Sequence, residues 1–138
     1  MRKYDPSEVS VIIGGHIVEG GVEGDFVSVV RDEDSFTYMG DINGGGTRSR
    51  NPNRAGKITI KLQASSPSNS FLSSLVAADE LNGSGIVPSL VKDNSGNDLH
   101  AAEASYIVKP ADSAYSKEVG EREYIVQCEN LKMFSGGN

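Results

Sequence analysis

Lys57-Ile58-Thr59-Ile60-Lys61-Leu62-Gln63 alternates without interruption, and the residues that follow it change period. Ile58, Ile60 and Leu62 point one way while Lys57, Thr59, Lys61 and Gln63 point the other, as in a half-buried strand. Ser65-Ser66-Pro67-Ser68-Asn69 breaks the strand and offers capping hydroxyls. From Phe71 the spacing is helical. Phe71, Leu75 and Ala78 fall on one stripe with Leu72 and Val76 beside it, and Asn82-Gly83 ends the segment. The chain offers no second convincing helix. One amphipathic helix must bury its stripe, and only a sheet remains to bury it on. The expected fold is mainly β: one helix flanking a curled, mostly antiparallel sheet, in a single domain over residues 1–138.

Upstream, Val9, Val11 and Ile13 share a face, Gly14-Gly15 is a two-residue hairpin signal, and His16-Ile17-Val18 begins the return strand. A glycine-rich acidic turn carries Glu19, Glu23 and Asp25. Residues 26–31 and 36–39 read as the third and fourth strands, joined by the acidic turn Asp32-Glu33-Asp34-Ser35. Downstream, Pro88 removes a ladder donor from the strand at 86–92 and predicts an edge or a bulge. Ala102, Ala104, Tyr106 and Val108 are expected on one face of a strand over 99–109. In the last strand, 121–130, Tyr124, Val126 and Cys128 alternate with Glu123, Ile125 and Gln127. Leu131 and Met133 extend it toward a flexible end at 134–138.

The segment 40–56 stands apart. It has almost no apolar content and carries Arg48, Arg50 and Arg54 against Asp41 alone, in a chain whose net charge is −6. It is expected as one long Gly/Arg-rich loop, and loops of this length in compact domains are functional or disordered. The sharper reading is a loop ordered by an oppositely charged partner. The acidic turns, Asp32, Glu33 and Asp34 in particular, supply that partner on an identical subunit. Such head-to-tail contacts build rings or open helical filaments.

Bulk properties exclude more than they assign. A chain of 138 residues with pI about 4.8 argues against specific nucleic-acid binding. One cysteine, Cys128, leaves no internal disulfide or cysteine zinc site, and it reads as a buried, inert thiol. No secretion signal is expected at Met1–Pro6, and Asn82-Gly83-Ser84 reads as a chance glycosylation triplet. No catalytic residue, metal ligand or cofactor site emerges. His16 and His100 lie in strand patterns. Gly44-Gly45-Gly46-Thr47-Arg48 lacks the Gly-Lys-Ser/Thr ending of a phosphate loop. Asp32-Glu33-Asp34 lacks the spacing of a calcium loop.

Asp32-Glu33-Asp34-Ser35-Phe36-Thr37 runs into the Gly-rich Thr-Arg-Ser-Arg-Asn segment. The alternating strand and Ser66-Pro67-Ser68-Asn69 follow. Then come Leu90-Val91-Lys92-Asp93, Lys109-Pro110-Ala111-Asp112, and Glu118-Val119 through Arg122-Glu123-Tyr124 to Cys128. In order and spacing this set, covering residues 7–131, resembles the tail tube proteins of long contractile-tailed phages, a fold shared with type VI secretion tube proteins. The resemblance implies an antiparallel β-sandwich or half-open barrel with one flanking α-helix. It also implies a non-enzymatic virion subunit, assembled in the host cytoplasm, that forms hexameric rings. These stack into a conduit for the viral genome, with sheath, initiator or baseplate and terminator proteins as partners. The 40–56 loop would reach the next subunit through Arg48, Arg50 and Arg54. The exposed face of the last strand, with Glu123, Gln127 and Glu129, supplies lumen candidates, since an acidic wall lets a duplex slide. The alternatives are a tube subunit of a contractile bacteriocin or secretion apparatus, and a monomeric β-rich binding module.

Overall fold

The computed structural model describes residues 9–22, 26–94, 96–118 and 120–136. The strands are β1 (Val9–Ile13), β2 (His16–Ile17), β3 (Val27–Arg31), β4 (Phe36–Gly40), β5 (Gly46–Arg50) and β6 (Gly56–Gln63). The helix α1 (Ser68–Asn82) follows, then β7 (Val87–Asp93), β8 (Leu99–Ile107), β9 (Glu121–Cys128) and β10 (Lys132–Phe134). The main sheet runs β2-β1-β7-β8-β9-β6-β3, with β10 also on β8 and β4–β5 forming a separate ribbon. All of these pairings are antiparallel.

The expected alternation of β6 is realised in full. Ile58, Ile60 and Leu62 are wholly buried, and β6 pairs with β9 from Gly56↔Cys128 to Gln63↔Glu121. The Gly14-Gly15 turn has φ of 59° and 84°, the left-handed pair that a tight hairpin requires. β8 curls the sheet. Its first residues pair with β10 and its last, Ser105–Ile107, with β9. Side chains from both wings meet in one core, among them Val11, Ile13 and Val91 from one and Ile60, Tyr124 and Val126 from the other.

One alternative is decided and four local expectations are corrected. Pro88 lies in a strand flanked on both sides, so the bulge and not the edge is realised. The β7–β8 register shifts between Val87 and Ser89. Val87 pairs with Ser105 but Ser89 with Ala102, so β8 holds the extra residue. The bulge reverses the face of β8: Ala102, Ser105 and Ile107 are buried, whereas Tyr106 and Val108 are exposed. Leu131 and Met133 do not extend β9, because the chain turns and β10 pairs back onto β8. The helix begins at Ser68, with Pro67 at its N-cap and no side-chain cap. Leu72 and Val76 form its buried centre, with Phe71 and Leu75 half-buried at the margin.

Asn69 joins helix to sheet. Its amide donates to the carbonyls of Gln63, Ala64 and Ser66, at 3.0, 3.3 and 3.1 Å. Its carbonyl accepts from the buried Tyr124 hydroxyl at 3.0 Å. Carbonyls where β6 ends thus gain a side-chain donor, although those of Gln63 and Ser66 also accept from backbone amides. Ser68 does the same for the β2 side: its hydroxyl accepts from the Glu19 amide and bonds His16 Nε2, whose ring stacks on Phe71. Glu23 and Asp25, expected in the same acidic turn as Glu19, lie outside the described residues.

Candidate functional site

The segment expected as one loop at 40–56 contains a strand. Thr47, Arg48 and Ser49 pair with Met39, Tyr38 and Thr37, making a β4–β5 ribbon closed by a turn at 41–45. The Asp41 carboxylate accepts from the amides of Asn43 and Gly45, both at 2.9 Å, and fixes that turn. The ladder and turn of this ribbon are made by backbone bonds, which leave no apolar period in the sequence. That is why composition alone reads the segment as loop.

Every residue of the ribbon is exposed. On one face Phe36 and Tyr38 lie opposite Arg50 and Arg48. The Arg48 guanidinium sits 4.5 Å from the Phe36 ring centroid, a cation–π contact. The other face carries Met39, and the tip carries Ile42. Tyr38, Met39 and Ile42 are 71%, 77% and 99% exposed. Tyr38 and Met39 were expected in an ordinary strand and Ile42 in the loop; their shared exposure is the feature that the sequence reading missed. The available signal was the partner strand, which has nothing apolar to pack on them.

The ribbon continues the β3–β6 pair across a kink. Asp32 N donates to Ala55 O at 3.0 Å, and Asn51 N to Ser35 O at 2.8 Å. The acidic turn works within its own chain here. Glu33 accepts from the side-chain amides of Asn51 and Asn53 at 3.1 and 2.6 Å. Asp32 pairs with Lys57 at 3.5 Å and accepts from Gln127 at 2.9 Å. Asp34 accepts from Asn51 through its backbone carbonyl. Arg31 donates to Ser35 Oγ and to Leu131 O. So Asp32 and Glu33, expected to reach a neighbouring subunit, bond within their own chain at the ribbon base.

Arg50 and Arg54 border two hollows. One, of about 1120 Å³, lies between the ribbon base and an apolar floor that includes Ile12, Leu90 and Ala101. The other, of about 420 Å³, lies toward β10. Arg54 is further held by its carbonyl, which accepts from Leu131 N.

On the exposed face of β9, Glu123 lies opposite Lys61, Glu121 opposite Gln63, and Gln127 opposite Lys57. Gln127 also donates to Gly56 O, which ties it to the ribbon base. Glu129 lies just past the strand and is exposed; its amide donates to Ala104 O. This face is therefore polar but mixed in charge. Cys128 is buried, and burial, with Asp32 adding to it, pushes its thiol up to about 11, so it stays protonated at neutral pH. Burial lowers the His100 pKa, partly offset by Asp98. Among the described residues no three His, Cys, Asp or Glu side chains are grouped to hold a metal ion. No helix among them is long and apolar enough to cross a membrane.

Comparison with known proteins adds a lineage to this geometry. Residues 7–136 match the family model described as the bacteriophage PhiTE tail tube protein. Structural protein ORF10 of Pseudomonas phage KPP10 is 29% identical over 143 residues, covering 98% of this chain and 83% of that protein. Three solved structures share the fold. The sheath/tube terminator of the PVC extracellular contractile injection system has a TM-score of 0.67 at 12% identity, covering 98% of this chain and 99% of its own. The tube-terminating cap of the anti-feeding prophage scores 0.66 at 12% identity, covering 98% and 93%. A chain of the PVC sheath–tube complex scores 0.64 at 13% identity, covering 96% and 92%.

Proposed function

Because the chain belongs to the bacteriophage PhiTE tail tube protein family, we propose that this phage tail structural protein polymerises as stacked hexameric rings into the tail tube. The tube is the conduit for the genome during ejection, and the subunit carries out no catalysis. The observation that carries this reading is the β4–β5 ribbon, a fully exposed arm with Tyr38, Met39 and Ile42 presented to solvent. An isolated ribbon with apolar side chains in water is marginal. In a ring or stack the next subunit covers it. Arg48, Arg50 and Arg54 make the polar part of that contact. Asp34 supplies charge from the kink, while Asp32 and Glu33 act through the ribbon's angle.

The sheet face bearing Glu123 and Gln127, with Glu129 at its edge, is assigned to the lumen. Lys61 lies opposite Glu123 on the same face and Lys57 pairs with Asp32, so with Glu121 and Glu129 the wall stays mildly acidic and does not trap phosphate. Sheath, initiator or baseplate and terminator proteins are the expected partners, with assembly in the host cytoplasm.

Negative-stain electron microscopy of the purified protein over a range of concentrations tests the reading. Hollow tubes or six-fold rings are the expected result. A strict monomer, even when seeded with a tail-initiating complex, would refute it. Rings that form but never stack would instead favour a cap at the tube end, the role for which two of the structural relatives are named.

A further inference from the structure

The smaller hollow at the ribbon base gathers positive charge. Arg31, Arg50, Arg54 and Lys132 line it together with the polar side chains of Ser35 and Asn51. Phe36 and Met133 give it an apolar margin, and no carboxylate lines it. Among the described residues the ion pairs are Lys57–Asp32 and Lys109–Asp112, so none of these four cations is paired. Arg31 spends its two terminal nitrogens on Ser35 and Leu131, and its buried Nε has no acceptor. Four like charges around about 420 Å³ repel one another, and a buried N–H without an acceptor adds to the cost. An oxyanion relieves the repulsion, and the planar guanidinium fork suits a carboxylate.

We propose that this cleft is an oxyanion site that receives a carboxylate of a second copy of the chain, an inference that rests on the self-assembly reading above. Two observations favour that occupant. The chain has 19 acids against 13 lysines and arginines, a net charge of −6, and exposed acids outside the proposed lumen face include Glu80, Glu103 and Glu118. Arg50 belongs both to the ribbon and to the cleft, so a copy that covers the ribbon passes the cleft mouth. A nucleic-acid phosphate shares the chemistry, but the acidic chain disfavours a polyanion approaching it.

Zero-length carbodiimide cross-linking of an equimolar mixture of isotope-labelled and unlabelled wild-type protein reads the site directly. Lys132 is expected to form mixed-isotope links to a carboxylate-bearing peptide. In parallel, the double reversal Arg50→Glu/Arg54→Glu should raise the concentration needed for assembly roughly tenfold or more, with urea unfolding close to wild type. The pair Arg50→Lys/Arg54→Lys should recover part of that loss. Mixed-isotope Lys132 links without tubes would leave the cleft standing and remove the tube reading. Tubes without such links, formed equally well by the double reversal, would overturn the cleft and spare the tube. A short duplex oligonucleotide whose binding the double reversal abolishes, with no mixed-isotope links, would assign the cleft to nucleic acid and also overturn the proposal.

Discussion

The β6–β9 pair and the β4–β5 ribbon are both antiparallel ladders in good register, and they differ in what lies beneath them. β6 alternates buried and exposed over eight residues, whereas β4 and β5 are exposed throughout. In the first, each inward side chain contributes about 1.5–3 kcal/mol by leaving water. In the second, the same backbone pairing carries Phe36, Tyr38 and Met39 with no core under them. Fold stability therefore belongs to the sheet and helix, and on the proposed function assembly belongs to the ribbon. Substitutions in the two regions should separate cleanly.

The largest effect is expected in the sheet. Leu62→Ala or Ile60→Ala should lower unfolding free energy by about 2–5 kcal/mol, read from urea denaturation, because each side chain is wholly buried. A loss below about 1 kcal/mol would mean that the core is looser than its burial implies. Asn69→Leu comes next, at about 1–3 kcal/mol, since it removes a side-chain donor to three carbonyls and the acceptor of the Tyr124 hydroxyl. A double-mutant cycle with Tyr124→Phe should be non-additive, because the two share one hydrogen bond. Full additivity would show that Asn69 acts on the loop alone.

The same contrast explains what the sequence disclosed. The Ile58-Ile60-Leu62 alternation and the Asn82-Gly83 stop were readable, because burial on one face and a left-handed cap each leave a local pattern. Gly83 indeed has φ of 73° and donates to Asp79 O. The return of β10 onto β8 and the extra residue in β8 were not readable. Both depend on which strand lies alongside, and that is decided by tertiary pairing. The ribbon was half legible. Its charge marked it as unusual, but Thr47, Arg48 and Ser49 carry no hydrophobic period from which to read a strand. The internal work of Glu33 and Asp32 was hidden for the same reason: Asn51, Asn53 and Gln127 become their neighbours only once the kink forms.

Smaller effects sharpen the division. Gly83→Ala forces a left-handed backbone on a residue with a Cβ, although open space surrounds the position. The expected cost is roughly 1–2 kcal/mol in thermal or urea unfolding. No cost would show that the helix end frays without loss. His100 offers a pH handle on the sheet side. Burial holds its folded pKa below the ordinary histidine value of about 6.5, so below that pH the unfolded chain binds more protons than the folded one. Its contribution to stability is thus present above about pH 6.5 and falls as pH drops toward the folded pKa. The wild type should lose more stability than His100→Gln between pH 7 and pH 5, read as urea midpoints. Parallel curves would place the pH dependence elsewhere.

The smallest effect on the monomer is the most informative. Ile42 is 99% exposed at the ribbon tip, so Ile42→Ser removes no intrachain packing and should leave unfolding within about 0.5 kcal/mol of wild type. A solvent-facing isoleucine has nothing to gain from being apolar unless something else covers it. If that something is the next subunit, the same substitution should weaken polymerisation strongly, measured by sedimentation at matched concentrations. A tip variant that is stable but assembly-defective would place the ribbon's apolar side chains in the interface. One that assembles like wild type would leave Ile42 as bare surface and shift the burden to Tyr38, Met39 and the arginines at the base.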